Sequence, residues 1–570
     1  MKNKEIARIF LKIADLLELQ EDSFKPRAYR RAARSLEQLD EDIDDIAVRG
    51  ELEDIPGVGK ALAKKIEEYL KTGDIEYLHR LEEEINPGLI ELLQIPDVGP
   101  KTVRALHEEL GISSIEELRT ALDNQKIREL RGFGLTSEER IRQNLETMAG
   151  FSQRLFIGKA LPIAEELVRD LQKIKDVTQI AIAGSLRRWK ETIGDIDILV
   201  SSPNPTRVMQ AFVDHPTVER VLVQGPTKTS VRVNEGIQID LRVVGIGSFG
   251  AALQYFTGSK AHNIALRNLA RQRKWKLSEY SLSDIENDEV IAGKTEAAIY
   301  KALDLEWIPP ELREDMGEIE AAQNHKLPSL IQISDLRGDF HVHSNWSDGA
   351  DTIKVMAKAA IARKYEYLAI SDHSKHLAIA KGLDESRLKK QIAHIRKLDE
   401  QLDNFHLLAG VEVDILPAGS LDFPDELLSE TDIVIAAVHL PLKTKTSITD
   451  LLVTACHHDL VDFIALPPGR IINSRPSFSV DFPAVFDAAK QQGVALEINS
   501  SQRLEFSVEL TREAKEQNLK FIVSTDAHQA SHLDHIRYGV GFARRGWLET
   551  DDVLNTRTTS QLQKLLKHLH

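Results

Sequence analysis

Cysteine is almost absent from this chain of 570 residues, which contains a single one, Cys456. One cysteine cannot form an internal disulfide or a thiolate zinc site, so any metal must be held by His, Asp or Glu. Long apolar stretches are also missing, since no run reaches the roughly 18 residues that a membrane helix requires. These absences predict a protein of the reducing cytoplasm that is neither secreted nor membrane-spanning.

Positive charge is in deficit, because 73 Lys and Arg face 89 Asp and Glu and the formal net charge is −16. Averaged over the chain, this balance argues against a polyanionic partner. Locally it is reversed, since residues 228–276 carry nine basic residues against two acids. That segment is either a solvated helix face or a path for a nucleic-acid duplex. Hydrophobic residues make up 42% and charged residues 28%, which excludes the disordered and fibrous classes.

The length exceeds what one hydrophobic core can hold and predicts three or four domains. The first part shows short helices joined by glycine-containing turns, and the next mixes β-branched runs with helices, as in an α/β or α+β domain. After a Pro-punctuated acidic stretch, seven β runs alternate with helices, which predicts a parallel sheet closed into a barrel. The predicted domains are 1–80 (helical, first hairpin), 81–148 (helical, second hairpin), 149–315 (α/β), 316–336 (linker) and 337–570 (barrel).

A helix-hairpin-helix unit recurs at 52–70, at 92–110 and, in a form too degenerate to carry weight, at 127–145. Such a turn leaves backbone N–H groups free at the start of its second helix, where the helix dipole favours a phosphate. Glycine turns also cap ordinary helices, but two good copies followed by lysines favour a DNA grip without sequence specificity. In the second copy, Asp97 replaces the usual glycine and should weaken phosphate binding. The predicted DNA-binding residues are Gly57, Gly59, Lys60, Lys65, Gly99 and Lys101.

Two carboxylates, Asp195 and Asp197, stand two apart in a β run, so their side chains point to the same face. A third, Asp240, lies in the run IQIDLRVV, which is otherwise apolar and basic. Carboxylates placed this way can share two divalent ions that activate a 3′-hydroxyl and stabilise a pyrophosphate leaving group. Gly184 and Ser185 follow another β run and offer a turn and a hydroxyl to phosphate. The alternative is that Asp-x-Asp is common at strand ends and that Asp240 is a coincidence.

The order GSLRR (184–188), GDID (194–197), Asp240 and YFTGSKAHNIALR (255–267) resembles the nucleotidyltransferase palm and nucleotide pocket of the family X DNA polymerases, which include DNA polymerase beta. The resemblance implies a DNA-directed DNA polymerase that fills short gaps in base excision repair, with gapped or primed duplex DNA and dNTPs as substrates. Beside such a site, the basic segment favours a duplex path. The implied ligands of two Mg²⁺ or Mn²⁺ ions are Asp195, Asp197 and Asp240. The implied nucleotide-binding residues are Gly184, Ser185, Arg188, Gly194, Tyr255, Phe256, Asn263 and Arg267.

In this pocket the resemblance implies that Tyr255 and Phe256 pack against the sugar. Asn263 and Arg267 would contact the new base pair and the template. Two departures appear. Gln238 replaces the Arg that the family usually has two residues before the third Asp, and Lys260 and His262 flank the base pocket. Lys65 matches the position of a Schiff-base lysine in the family, and both a lyase and a phosphate-contacting or solvated lysine remain open.

Histidine is concentrated in the last part, because 15 of the 19 lie in 325–570. Metal-type residues stand at the ends of several β runs, and the C-terminal strand ends of a (β/α) barrel meet at one mouth. A single buried histidine is usually structural, but several strand-end hits predict a metal cluster that activates water against a phosphodiester. Mixed His and carboxylate ligands suit Zn²⁺ or Mn²⁺. The predicted ligands are His341, His343, Asp348, His373, Glu412, His439, Asp526 and His528.

The motifs HVH, SDH, GVEVDI, AAVH and STDAH resemble, in this order, the PHP (polymerase and histidinol phosphatase) domain, a distorted seven-stranded barrel with a trinuclear metal site. One departure is that Leu466 occupies the position of a ligand His. The resemblance therefore implies a PHP domain that folds and binds metal but whose 3′→5′ exonuclease is weakened or absent. As a whole the chain resembles the bacterial family X polymerases (PolX), and we expect a monomer. The alternative is a PHP-type nuclease or phosphoesterase whose polymerase part is a DNA-binding scaffold.

Overall fold

The computed structural model describes residues 2–20, 25–39, 43–72, 74–93, 95, 98–130, 132–151, 154–439, 447–465, 480–501 and 507–566. The chain divides into two compact units, Met1–Ser152 and Gln153–His570. Among the described residues, no helix is both long enough and apolar enough to cross a bilayer. Asp97 and Leu466, which the sequence singles out, lie outside the described residues.

The first unit is helical in all its described regular structure. Apolar residues at helical spacing form two hydrophobic clusters, one between Ile6 and Ile85 and one between Leu92 and Leu145. The helices are α1 (Lys2–Leu19), α2 (Lys25–Gln38), α3 (Ile43–Val48), α4 (Lys60–Thr72), α5 (Glu76–Glu84), α6 (Pro87–Leu92), α7 (Pro100–Leu110), α8 (Ile115–Asp123) and α9 (Leu135–Phe151).

Three turns in this unit share one hydrogen-bond pattern. In each, the amide of an apolar residue donates to the carbonyl of another apolar residue three positions earlier, at 2.9 to 3.0 Å. The pairs are Val58 with Ile55, Val98 with Ile95, and Phe133 with Leu130. The third repeat, whose sequence is degenerate, therefore has this hydrogen bond in common with the first two. In each turn both residues of this apolar pair belong to a hydrophobic cluster or pack against it.

The second unit begins with a five-stranded mixed sheet in the order β2-β4-β7-β6-β5. Strands β4 and β7 run parallel, and the other neighbours are antiparallel. The elements are β1 (Leu155–Phe156), α10 (Ile157–Leu171), β2 (Gln179–Ile182), α11 (Gly184–Arg187), β3 (Thr192–Ile193), β4 (Asp195–Ser201), α12 (Pro205–Val213), β5 (Val218–Gln224), β6 (Lys228–Val233) and β7 (Gln238–Val244).

A smaller helical part with a three-stranded antiparallel sheet follows and has its own core. Residues 316–336, which we predict to be a linker, contribute Ile319, Ala322 and Leu330 to this core. The elements are α13 (Phe249–Thr257), α14 (Lys260–Gln272), β8 (Trp275–Leu277), β9 (Leu282–Asp284), β10 (Val290–Ala292), α15 (Glu296–Ala302) and α16 (Glu318–Gln323).

Seven parallel strands in chain order form the last part, and their apolar runs are buried as expected for strands covered on both faces. The first and last strands meet through one isolated bridge, Val342 with Ala527, so the predicted closed barrel is nearly closed. The elements are β11 (Gly338–Asp339), α17 (Ile353–Ala362), β12 (Tyr367–Ile370), α18 (Glu385–Asp399), β13 (His406–Asp414), α19 (Asp425–Leu428), β14 (Ile433–Ala437), α20 (Ile448–Cys456), β15 (Phe463–Ile464), α21 (Phe482–Gln492), β16 (Ala495–Asn499), α22 (Val508–Glu516), β17 (Phe521–Ser524), α23 (Ile536–Arg545) and α24 (Thr559–Leu562).

Helix α23 of the barrel packs against the part that carries the mixed sheet, and the two share one hydrophobic cluster. A Cβ at Gly541 would lie 2.3 Å from the ring of Trp189, so glycine lets the two surfaces approach. Arg537 of α23 also forms an ion pair with Glu165 of α10. The barrel is therefore in direct contact with the mixed-sheet part.

Candidate metal centres and nucleotide site

Three carboxylates, the aspartate cluster, lie on one face of the mixed sheet. Asp195 and Asp197 alternate along β4 and point to the same side, and Asp240 on β7 is the register partner of Asp197. Gly184 has a φ of +63°, and a Cβ there would lie 2.3 Å from Oδ2 of Asp197. A side chain at position 184 would clash with this carboxylate, so glycine is required there. The structure brings together the three acids and the loop that the sequence singles out.

The pKa of Asp197 shows that negative charge is in excess at the cluster. Burial and the negative charges of Asp195 and Asp240 raise this pKa to about 7. Divalent cations would favour the ionised form of all three carboxylates, whose hard oxygens suit Mg²⁺ or Mn²⁺. The residues present therefore fit divalent ions.

Asp240 has a positive partner from the chain itself. Lys228 Nζ on β6 lies 2.8 Å from Asp240 Oδ2, and Gln238 Nε2 donates to Asp240 Oδ1 at 2.8 Å. Burial alone would raise the pKa of Asp240, but these hydrogen bonds lower it. Lys228 thus supplies a charge that the neutral Gln238 does not. Sequence reasoning missed this pair because only the pairing of β6 with β7 brings the two side chains together.

The predicted phosphate-binding residues lie on the segment between β2 and β4, and they are Gly184, Ser185, Arg188 and Gly194. Arg188 Nε donates to Glu314 Oε1 at 3.0 Å, and the Arg188 guanidinium also donates to the Thr257 carbonyl. Arg188 is therefore held by protein groups in this structure. Glu314 is a partner that no motif in the sequence indicates.

The predicted sugar and base pocket lies on α13 and α14. The rings of Tyr255 and Phe256 pack edge to face, with centroids 5.2 Å apart. Asn263 is buried, and its Nδ2 donates to the Tyr255 carbonyl at 2.7 Å. Arg267 Nε donates to the Asn263 carbonyl at 3.2 Å. Asn263 thus fastens α14 to α13 in this structure.

The expectation that His262 flanks the base pocket is wrong. His262 is fully buried, and its Nδ1 lies 2.6 Å from Glu318 Oε1 while its Nε2 lies 2.9 Å from Tyr300 Oη. Helix α14 directs this ring into the core, whereas Lys260 at the start of the same helix is exposed. His262 therefore connects α14 with α15 and α16.

Glu296 joins two arginines behind the phosphate-binding segment. Arg187 Nη2 lies 2.7 Å from Glu296 Oε2, and Arg313 Nη1 lies 2.7 Å from Glu296 Oε1. The side chain of Arg313 is fully buried. Burial alone would raise the pKa of Glu296, but Arg187 and Arg313 outweigh it and lower the pKa to about 2. This network fixes Arg187, the neighbour of Arg188.

We expect Glu296→Gln to destabilise the second unit by about 3 kcal/mol, because a buried guanidinium loses its counter-charge. The folded pKa lies below the ordinary 4.5, so the contribution is complete above that pH and is lost as the pH falls towards 2. Thermal unfolding of variant and wild type should therefore differ at pH 7 and converge at low pH. Asp304→Asn, which removes an exposed ion pair with Arg273, should have little effect. Equal losses in the two variants would contradict this role of Glu296.

All eight predicted ligands of the barrel, the histidine cluster, lie at the C-terminal end of its strands or in the loops that follow. They form three groups whose ligand atoms lie within 4.8 Å of one another. Because His343 and His373 each belong to two groups, the three groups are continuous. The groups are His343 with Asp348, His373 and His528; His341 with His343 and Asp526; and His373 with Glu412 and His439.

Several buried polar atoms of the histidine cluster have no hydrogen bond within the described part of the chain. They are Nε2 of His341, Nε2 of His343, Nδ1 of His373 and Oε2 of Glu412. His373 Nδ1 and Glu412 Oε2 approach to 2.6 Å without hydrogen-bond geometry. Buried polar groups are nearly always paired, so these converging lone pairs fit metal ions. Mixed nitrogen and oxygen donors suit Zn²⁺ or Mn²⁺.

Two carboxylates that sequence reasoning missed orient histidines of this cluster. His341 Nδ1 donates to Glu497 Oε1 on β16 at 2.7 Å, and His439 Nδ1 donates to Asp414 Oδ1 at 2.9 Å. Such partners fix the tautomer and leave Nε2 available to a metal. A usable signal was present in the sequence, because an acid inside an apolar strand, as in VALEIN, needs a buried partner.

In the first unit, the predicted DNA-binding residues lie at the hairpin turns and in the helices that follow. They are Gly57, Gly59, Lys60, Lys65, Gly99 and Lys101. Gly57 has a φ of +87°, which glycine adopts at little cost. Gly99 is the N-cap of α7, whose first amides lack intrahelical partners. Lys65 Nζ lies 4.4 Å from the ring centroid of Tyr77, a cation–π contact within this unit.

Known protein families match each part of the chain. The matching models are a helix-hairpin-helix domain (1–75), a SAM-like helix-hairpin-helix tandem (89–147), the DNA polymerase beta palm (160–242), the DNA polymerase beta thumb (252–314) and the PHP domain (339–538). The tandem model spans the second and third repeats.

Curated relatives extend this assignment to the full length. The chain is 38% identical over 572 residues to "DNA polymerase/3'-5' exonuclease PolX" of Bacillus subtilis (strain 168), with 100% of both chains covered. It is 26% identical over 333 residues to DNA polymerase lambda of Rattus norvegicus, which covers 53% of this chain and 54% of that protein. A "Probable phosphatase" of Acetivibrio thermocellus is 31% identical over 201 residues, 33% of this chain and 78% of that protein. The chain therefore belongs to the bacterial family X DNA polymerases (PolX), which carry a C-terminal PHP domain.

Proposed function

We propose that this DNA polymerase fills short gaps in duplex DNA during base excision repair. The aspartate cluster carries the proposal, because its three acids share one face, and burial with the charges of Asp195 and Asp240 raises the pKa of Asp197 to about 7, an environment that favours bound cations. Two Mg²⁺ or Mn²⁺ ions held there would lower the pKa of the attacking 3′-hydroxyl and stabilise the pyrophosphate that leaves.

The chain's own residues position the substrates. Ser185 and Arg188 hold the triphosphate, and the edge-to-face pair of Tyr255 and Phe256 packs against the sugar. Lys228 keeps Asp240 ionised by pairing with it at 2.8 Å. The hairpin repeats of the first unit grip DNA phosphates through the free amides that follow each turn.

We also propose that the histidine cluster is a metal-dependent phosphoesterase that acts on the 3′ end of DNA. Its unpaired lone pairs support bound metal, and the relative from Bacillus subtilis is named as a 3′-5′ exonuclease. Bound ions would supply activated water against a phosphodiester. Leu466 stands where the resemblance implies a ligand His, so we propose that this hydrolysis is weak.

A one-nucleotide gap tests the proposed polymerase. The full-length protein with Mn²⁺ should add the complementary nucleotide when each dNTP is supplied in turn, and it should be faster on a gap than on an open primer. The alternative, a PHP nuclease whose polymerase part only binds DNA, predicts binding to the gap without addition of any nucleotide. That outcome would overturn the proposal.

Leu466→His should raise 3′→5′ digestion of a primer by at least about 10-fold, because it restores the ligand that the resemblance implies for the ion of Glu412 and His439. The measurement is release of a labelled 3′ nucleotide in the presence of Mn²⁺. Leu466→Ala removes the same side chain without adding a ligand and should not raise the rate. If wild type and Leu466→His digest the primer equally fast, the proposed weakness of the exonuclease is wrong.

A further inference from the structure

One carboxylate, Glu314, contacts three cations beside the proposed nucleotide site. Its Oε1 lies 3.0 Å from Arg188 Nε, 3.5 Å from Lys190 Nζ and 3.5 Å from Arg545 Nη1. Arg188 and Lys190 follow α11 in the palm, Glu314 is the last residue matched by the thumb model, and Arg545 ends α23 of the PHP domain. A single oxygen atom therefore joins three parts of the protein.

Arg545 is buried and is held in this position by its contacts with Glu314 and Arg188. Its side chain is 3% exposed, and its Nη1 also donates to the Arg188 carbonyl at 3.0 Å. Among the described residues, Glu314 is the one carboxylate within ion-pair distance of Arg545. A buried guanidinium is costly unless a carboxylate offsets it, so Arg545 and Glu314 depend on each other. One turn earlier, Gly541 accommodates Trp189, which follows Arg188 in the chain.

A triphosphate has to compete for Arg188. The Arg188 guanidinium already donates to Glu314 through Nε and to the Thr257 carbonyl through Nη1, so a triphosphate that draws Arg188 towards itself competes with the Glu314 carboxylate for the same positive charge. If Arg188 turned away from Glu314 and no other cation lay beside it, the Glu314 carboxylate would repel the incoming triphosphate. Lys190 and Arg545 reduce this repulsion because both remain beside the same oxygen.

We propose that Glu314 is a positioning residue of the nucleotide site, and that Arg545 of the PHP domain supports nucleotide binding by retaining Glu314 when Arg188 turns to the triphosphate. This inference rests on the proposed role of Arg188 in binding the nucleotide. It gives the PHP domain a part in polymerisation that is separate from the histidine cluster.

The test is steady-state filling of a one-nucleotide gap by full-length variants, with the KM for the dNTP and kcat measured separately. Glu314→Gln should lower the KM by about 3- to 10-fold at unchanged kcat, because Arg188 loses its competing carboxylate. Arg545→Met should raise the KM by about 3- to 10-fold, because Glu314 then holds Arg188 more tightly. The double variant E314Q/R545M removes both charges and leaves no buried ion unpaired. Its KM should equal that of Glu314→Gln alone, because Arg545 acts through Glu314.

Arg537→Met is the matched control, since Arg537 lies on the same helix and pairs with Glu165 instead of Glu314. Its KM should equal that of the wild type. Arg188→Gln should raise the KM, and an unchanged value would overturn both the proposed nucleotide site and this inference. If Arg188→Gln raises the KM while Glu314→Gln and Arg545→Met leave it unchanged, only this inference fails. The same is true if Arg545→Met has equal effects with and without Glu314, which is the behaviour of a purely structural residue.

Discussion

Asp197→Asn should slow nucleotide addition at a one-nucleotide gap by about 10⁴-fold while leaving the affinity for gapped DNA unchanged. Asp197 shares a strand face with Asp195 and is the register partner of Asp240, so its replacement removes one of the three charges of the cluster. Metal ions at such a site contribute several kcal/mol of transition-state stabilisation, and about 5 kcal/mol corresponds to this factor. Single-turnover addition with excess protein measures the chemical step, and fluorescence anisotropy with labelled gapped DNA measures binding.

Asp214→Asn is the control for this experiment, because Asp214 is a palm carboxylate that caps α12 and lies outside the cluster. It should leave both the rate and the affinity unchanged. Nucleotide addition by Asp197→Asn at the wild-type rate would show that the cluster does not carry the chemistry. A loss of DNA affinity equal to the loss of rate would instead assign the cluster to DNA binding.

Bound metal should raise the melting temperature of the second unit of the wild type by about 5 °C or more, and Glu412→Gln should abolish this increase. Glu412 lies 2.6 Å from His373, 3.4 Å from His341 and 3.6 Å from His439, closest atoms being compared. Burial alone would raise the pKa of Glu412, but the charges of His373 and His341 keep it well below the ordinary value. An anion shared by three histidines is thus replaced by a neutral amide. Metal content of the purified protein and thermal unfolding with and without chelator measure the effect.

The matched control is Glu430→Gln, an exposed acid of the same domain. This variant should keep the wild-type metal content and the full shift in melting temperature. Retention of metal by Glu412→Gln would mean that the histidine cluster is not organised around this carboxylate. Polymerisation by Glu412→Gln should remain at the wild-type rate, because the aspartate cluster is unchanged.

Local patterns were sufficient where one element positions the residues. Alternation along a single strand places Asp195 and Asp197 on one face, and strand ends place the eight residues of the histidine cluster at one mouth. The relation of Asp197 to Asp240 depends on the register between β4 and β7, which no local pattern contains. Lys228 was visible as part of a basic segment, but only the sheet shows that its charge is directed at Asp240.

Two misreadings have a physical origin in what a sequence pattern omits. His262 was placed at the base pocket by its position in a motif, whereas the helix directs its ring towards Glu318 and Tyr300. The third hairpin was discounted because its sequence is degenerate, although the hydrogen-bonded pair of Leu130 and Phe133 keeps the spacing of the other turns. In both cases the side of the element that faces the core was a better guide than the identity of the motif residues.

The near-closure of the barrel gives the histidine cluster a second significance. The first and last strands are joined by one isolated bridge, and cluster residues stand on both sides of the gap, with His343 Nε2 3.0 Å from Asp526 Oδ1 across it. Ions bound between the two sides would add to the hydrogen bonds that Thr525 donates to Asp339 across the same seam. The ligands of the histidine cluster would then serve the architecture of the barrel as well as its chemistry.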